Sequence, residues 1–269
     1  MKLTPHQVEK PWGRTHLPHG FGDTGGRRIG EIWFEAPVAE AALPLLVKYI
    51  FTSEKLSIQV HPNDEQANRR GLAQGKSECW YILDADPTAT LGLGLKHPVD
   101  PSDLRNAALD GSIEELIDWR PVKAGEFYFV PAGTIHAIGS GISLLEFQQN
   151  ADVTYRLYDY GRPRELHLDD GLAVSRTSEP YPDDCWRQAD GSSDAVLLNG
   201  PHFSLLRTHS PDSLPATVSD RRRWVMPIEG ALESNGVTAS SGECLLLDAG
   251  DALEFGADTI ALVGIEGAI

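Results

Sequence analysis

Cysteine is scarce in this 269-residue chain: Cys79, Cys185 and Cys244 are odd in number and widely spaced. That argues against a disulfide framework and against a Cys-x-x-Cys metal site, and it fits a reducing compartment. No run of about 18 apolar residues occurs, and the opening MKLTPHQVEK lacks the apolar stretch of a secretory leader. A cytoplasmic protein is expected. Basic residues are also few, 23 Lys and Arg against 39 Asp and Glu, for a net charge of −16. Such a surface repels nucleic-acid phosphates and anionic bilayers, so neither is expected as a partner.

The 26 Gly and 18 Pro are spread along the chain, and the apolar fraction of 41% suffices for a core, so many turns rather than disorder are implied. Between those breakers lie short apolar or alternating runs: EIWFEA, PLLVKYIF, LSIQVH, CWYIL, EFYFVP, ISLLEFQ and VTYRLYDY. This is the rhythm of a β-sandwich or barrel. One stretch differs: PSDLRNAALDGSIEELIDW, residues 101–119, has apolar residues at helical spacing, with Ser102 as the expected N-cap of one or two short helices.

Residues 169–194 have few apolar residues in register and read as a linker. Short strands resume at 195–269, and this part echoes the first. Gly125-Glu126 precedes Ala132-Gly133 at the spacing by which Gly242-Glu243 precedes Ala249-Gly250, and Trp80-Tyr81-Ile82-Leu83 resembles Trp224-Val225-Met226-Pro227. The expected organisation is a catalytic β unit at 1–168, a linker at 169–194 and a smaller β unit at 195–269. In the second unit Leu253 stands where the first has His136, and Arg222 stands opposite Glu78, so that copy is expected to lack metal ligands.

In LSIQVHP, strand alternation aligns Ser57, Gln59 and His61 on one face. Lys76, Glu78 and Trp80 align likewise, and a carboxylate entering so apolar a strand needs a partner once buried. GEFYFVPAGTIHAI runs an aromatic strand into a Pro-Ala-Gly turn and sets His136 where the next strand begins. Gln59, His61, Glu78 and His136 together offer two imidazoles, a carboxylate and an amide oxygen, a set suited to zinc or another borderline divalent ion.

The order and strand context of these residues resemble the cupin metal motif, in which inward-facing residues of neighbouring barrel strands converge. KPWG at 10–13, GEIW at 30–33, LLVK at 45–48, LSIQVHPND, GKSECWYIL, VPAGTIHAI and TYRLYDY further resemble the mannose-6-phosphate isomerase family, in the family's order over residues 10–160. The resemblance implies a mainly β fold of cupin-type jelly-roll barrels, with a metal-binding N-terminal barrel, a small helical insertion and a degenerate C-terminal unit. It implies one zinc ion per chain on Gln59, His61, Glu78 and His136, and a sugar-phosphate substrate undergoing aldose–ketose isomerisation. It assigns catalysis to Arg156 and Lys76, and phosphate contacts to Lys48, Ser57 and Arg162. The general base stays open among Lys76, Glu146, Asp152 and His97. Another sugar phosphate as substrate, or a non-catalytic sugar-binding or metal-storing cupin, are the alternatives.

Overall fold

The computed structural model describes residues 1–37, 42–189, 191 and 193–269; residues 190 and 192 of the expected linker lie outside the described residues. The chain folds as two compact units, one of Met1–Phe51 with Arg187–Ile269 and one of Thr52–Trp186. The first fifty residues, expected with the catalytic unit, therefore pack with the C-terminal residues. Residues 1–3 hydrogen-bond along Leu245: Lys2 bridges Leu245, the Leu3 N–H donates to the Cys244 carbonyl at 2.9 Å, and the Leu246 N–H donates to the Met1 carbonyl at 2.8 Å.

Within that unit, strands Thr4–Arg14, Ile29–Glu35 and Leu45–Phe51 pair antiparallel in succession. A five-stranded sheet runs in the order Ala195–Asn199, Phe203–Thr208, Ile260–Glu266, Arg223–Glu229, Leu245–Leu247. Leu206, Val225, Leu245, Val263 and Ile265 bury their side chains in one core with Leu232 and Ala239 from a smaller three-stranded sheet.

The 52–186 unit contains two antiparallel arrays. In one, Glu78–Ala85 lies between Ile142–Gln149 and Glu126–Val130. In the other, five strands run in the order Tyr155–Tyr158, Ile58–Val60, His136–Ile138, Thr90–Leu95, Ile117–Pro121. This is the mainly β class expected from the strand rhythm and the cupin-like fold that the resemblance implies.

Alternation decides which residues of the five-stranded sheet face where. Ile58, Val60, Ala137, Tyr155 and Leu157 join the core formed with Leu104, Ala107, Ala108, Ile113 and Val174 of the helices. Each buried aliphatic there contributes roughly 1.5–3 kcal/mol. The intervening residues, Gln59, His136 and Arg156, therefore project from the opposite face.

The helical insertion comprises Pro101–Asp110 and Ile113–Leu116. Its N-cap is Asp100 rather than Ser102, because Pro101 takes the first helical position, where its missing N–H costs nothing. Gly111 ends the helix at φ 89°, and a Cβ there would come within 2.8 Å of the Tyr158 hydroxyl. The stretch expected as a linker holds a further helix, Leu168–Val174, which packs against the Tyr155–Tyr158 strand, and a short strand, Trp186–Gln188.

Candidate metal centre

Three segments of the 52–186 unit bring His61, Glu78 and His136 together. Gln59 is the register partner of His136 across neighbouring strands, and His61 follows directly after the Ile58–Val60 strand, just before Pro62. Glu78 opens the strand of the other array, and its alternation turns Glu78 and Trp80 the same way; the Trp80 ring meets His136 edge-on at 5.5 Å between centroids. The side chains of Glu78, His136 and His61 are 1%, 1% and 2% exposed.

Both rings are held by carbonyls. Nδ1 of His61 lies 2.7 Å from the Val153 oxygen, and Nδ1 of His136 lies 2.9 Å from the Thr134 oxygen. A carbonyl only accepts, so each Nδ1 carries the hydrogen and, in the neutral ring, each Nε2 presents a lone pair. Burial favours the neutral rings. It lowers both histidines, His61 to about 3, with Lys76 adding to the effect.

Those lone pairs face acceptors. His61 Nε2 lies 3.4 Å from Glu78 Oε2, and His136 Nε2 lies 3.3 Å from Glu78 Oε1. Glu78 Oε1 has no donor in hydrogen-bond geometry, and the Lys76 ammonium lies beside Oε2. Burial alone would raise the Glu78 carboxyl, but the Lys76 ammonium beside it holds it well below the usual carboxylate range. The result is a buried cluster of acceptors with the Lys76 ammonium at one side of it. One ligand atom from each of His61, Glu78 and His136 lies within 4.8 Å of the others, close enough for small adjustments to bring them to the roughly 3.3–3.4 Å that zinc bonds of about 2.0–2.1 Å set between tetrahedral ligands. The donor set therefore fits a divalent cation. The carbonyls on Nδ1 are the outer partners that fix imidazole ligands.

Lys76 packs against these groups. Its Nζ is 2.9 Å from Glu78 Oε2, 3.1 Å from His61 Nε2 and 3.9 Å from Glu146 Oε1. Gln59 currently directs its Nε2 at His136 Nε2, 3.2 Å away, while its Oε1 accepts from Ser57 Oγ at 3.1 Å. Turning the amide over would present its oxygen to the centre.

Arg156 is the register partner of Gln59, so Arg156, Gln59 and His136 form one row across three strands. With strands about 4.8 Å apart, the Arg156 backbone stands roughly 10 Å from that of His136. Asp152 and Thr154, expected on a strand face with Arg156, precede the strand, which begins at Tyr155. Arg162 is engaged by Glu54 at 3.1 Å, by Asp159 at 3.2 Å and by the Lys55 carbonyl at 2.9 Å. Lys48 belongs to the other unit, where it stacks on the Trp33 ring at 5.5 Å and lowers the Glu31 carboxyl against the effect of burial. His97 is exposed and turns its Nδ1 to the Pro98 carbonyl.

Sequence reasoning missed the orienting carbonyls of Val153 and Thr134, because a backbone acceptor has no side-chain signature. The nearness of Glu146 to Lys76 did carry a signal. Glu146 and Gln148 alternate within a wholly buried strand, and Gln148 is the register partner of Glu78.

No family model matches the chain. The chain is 46% identical over 166 residues to the mannose-6-phosphate isomerase ManA of Bacillus subtilis, covering 59% of this chain and 48% of that one. It is 33% identical over 249 residues to YvyI of Bacillus subtilis, assigned by name to the same family, covering 76% of this chain and 78% of YvyI. The crystal structure of the mannose 6-phosphate isomerase from Bacillus subtilis superposes with a TM-score of 0.82 at 28% identity, covering 98% of both chains. The chain spans about half the length of the first curated relatives it matches.

Proposed function

The chain belongs to the mannose-6-phosphate isomerase family, and on that premise we propose that it interconverts D-mannose 6-phosphate and D-fructose 6-phosphate at the His61, Glu78 and His136 centre. The observation that carries the proposal is the buried meeting of two imidazoles, each fixed at Nδ1 by a carbonyl, with a carboxylate whose oxygens lie 3.4 Å and 3.3 Å from their Nε2 atoms. His61, Glu78, His136 and the Gln59 amide would hold one zinc ion per chain. When bound, such an ion supplies Lewis acidity toward the sugar oxygens.

The chemistry moves a proton. The C2 hydrogen of the aldose leaves as the C1 carbonyl oxygen gains a proton, giving an enediol. The C2 hydroxyl then loses its proton as C1 gains one. Arg156, on the row that holds Gln59 and His136, would supply a cation where oxyanion character develops. Lys76, with three donors and no acceptor, orients a sugar hydroxyl or passes a proton between oxygens. Burial of the centre excludes bulk water from the charge that develops.

Lys48, Ser57 and Arg162 are assigned to the phosphate, where an acidic protein needs local basic groups. Three buried free cysteines fit a cytoplasmic setting. Among the described residues no helix is long and apolar enough to cross a membrane.

The test follows several hexose 6-phosphates by proton NMR with the zinc-loaded protein. Conversion of mannose 6-phosphate to fructose 6-phosphate supports the proposal. Turnover of a different epimer alone would redirect the substrate assignment. Binding without exchange of the C2 proton in heavy water would indicate a sugar-binding protein.

A further inference from the structure

Lys76 is the one cation in direct contact with the proposed ligands among the described side-chain contacts, yet it does not sit in regular structure. It precedes the strand that begins at Glu78, at the end of the irregular segment 69–77. A lysine carries about 2 kcal/mol of rotamer entropy, and holding its ammonium at 2.9 Å from Glu78 requires a fixed backbone beneath it.

That backbone is clamped on both sides. The Gly75 N–H donates to Asp64 Oδ1 at 2.7 Å, and the Ser77 N–H donates to Gln149 Oε1 at 2.9 Å. Gln149 Nε2 closes the loop by donating to the same Asp64 oxygen at 2.9 Å. The Lys76 N–H itself donates to the Pro62 carbonyl, also at 2.9 Å. Gly75 permits the approach, since a Cβ there would fall 2.4 Å from the Asn63 carbonyl carbon. Gln149 is 4% exposed, so its amide gains its partners from protein rather than water.

We propose that Asp64 and Gln149 are positioning residues that act through Lys76, setting its ammonium against Glu78 and His61. Asp64 is anchored at the first turn of the Asp64–Asn68 helix, behind a capping box of Asn63 and Gln66. Gln149 ends the strand that pairs with Glu78–Ala85. The relay thus ties one lysine to a helix and to a strand. The inference rests on the proposed role of Lys76 in isomerisation, so its test includes a reading that needs no activity.

The variants are Asp64→Ala, Asp64→Asn, Gln149→Ala and Lys76→Ala, with each clamp variant also placed in the Lys76→Ala background. The hydrogen bonds from Gly75 and from the Gln149 amide both end on one Asp64 oxygen, which asparagine retains. The first reading is the nitrogen-15 resonance of His61 Nε2 in the metal-free protein, 3.1 Å from the Lys76 ammonium. Asp64→Ala and Gln149→Ala should move it toward its position in Lys76→Ala, while Asp64→Asn leaves it near the parent position. The second reading is turnover with zinc. Asp64→Ala and Gln149→Ala should lose about 10- to 100-fold in kcat with KM little changed, as outer-partner changes typically do, and Asp64→Asn should recover most of it. Neither loss should add to that of Lys76→Ala. Unmoved His61 resonances in both clamp variants, or losses that persist in full without Lys76, would overturn the inference. Should Asp64→Ala fail to fold, Gln149→Ala carries the same test. A Lys76→Ala protein that turns over like the parent would instead refute the catalytic role of Lys76, leaving the resonance test of the clamp standing.

Discussion

At the scale of single residues the account turns on which charges meet inside the 52–186 unit. Glu78 is the only anion of the proposed ligand set, so Glu78→Ala should lose metal and activity together. Stoichiometric zinc retained in that variant would count against the assignment. Arg156 is a different case, because its row neighbours Gln59 but its side chain is no ligand. Arg156→Ala should keep zinc content and melting temperature while turnover falls about 10²- to 10³-fold, the usual cost of removing a charge-stabilising donor. Arg156→Lys should restore only part of that, since an ammonium cannot reproduce the planar fork. Turnover of Arg156→Ala within about threefold of the parent would make Arg156 a structural residue.

At the scale of elements, most strands were legible because alternation and Gly-Pro punctuation are local signals. Ile29–Glu35, Leu45–Phe51, Glu78–Ala85, Glu126–Val130 and Ile142–Gln149 all fall on runs that stand out in the sequence. Gln59, His61, Glu78 and His136 each lie on or beside such a run, but only the resemblance joined them as one set; His61, Glu78 and His136 are the three that come together. The strand Thr4–Arg14 was missed, since TPHQVEKPWGR is polar and mostly exposed or half-buried, and only pairing with Ile29–Glu35 makes it a strand. The helix Leu168–Val174 was missed because its short apolar face has meaning only against Tyr155 and Leu157.

The strand pair that carries Lys48 makes two testable points. Glu31 lies beside Lys10 at 3.2 Å, and Lys48 and Lys10 lower its carboxyl although burial acts to raise it. A carboxylate lowered in the folded state stabilises above its unfolded pKa of about 4.3 and loses that contribution as pH falls through its folded value. The melting-temperature gap between the parent and Glu31→Gln should therefore be widest at neutral pH and shrink below about pH 4.3; a gap that grows on acidification would contradict it. Lys48→Ala should raise KM with kcat little changed, because a phosphate contact far from the reacting carbons binds ground and transition states alike. A large fall in kcat at constant KM would remove Lys48 from the phosphate site.

At the scale of the whole molecule, residues 1–51 group by contact with 187–269, a division that strand rhythm does not show. Strand rhythm says which segments are strands but not which long-range partners they find, and Leu3 meets Cys244 across nearly the whole chain. The central claim is likewise about the molecule as a unit: a family member whose isomerisation depends on a cation held by His61, Glu78 and His136. Binding to the folded state alone raises stability by about 2.7 kcal/mol at a hundredfold excess over Kd, so the same cation should also raise the melting temperature. The most direct measurement follows the conversion of mannose 6-phosphate to fructose 6-phosphate by NMR on one sample, as purified, after exhaustive chelation, and after titration with zinc, with metal content determined at each stage. The account predicts that conversion vanishes with the metal and returns in proportion to zinc, saturating at one ion per chain. Full conversion in a sample shown to be free of metal would contradict it.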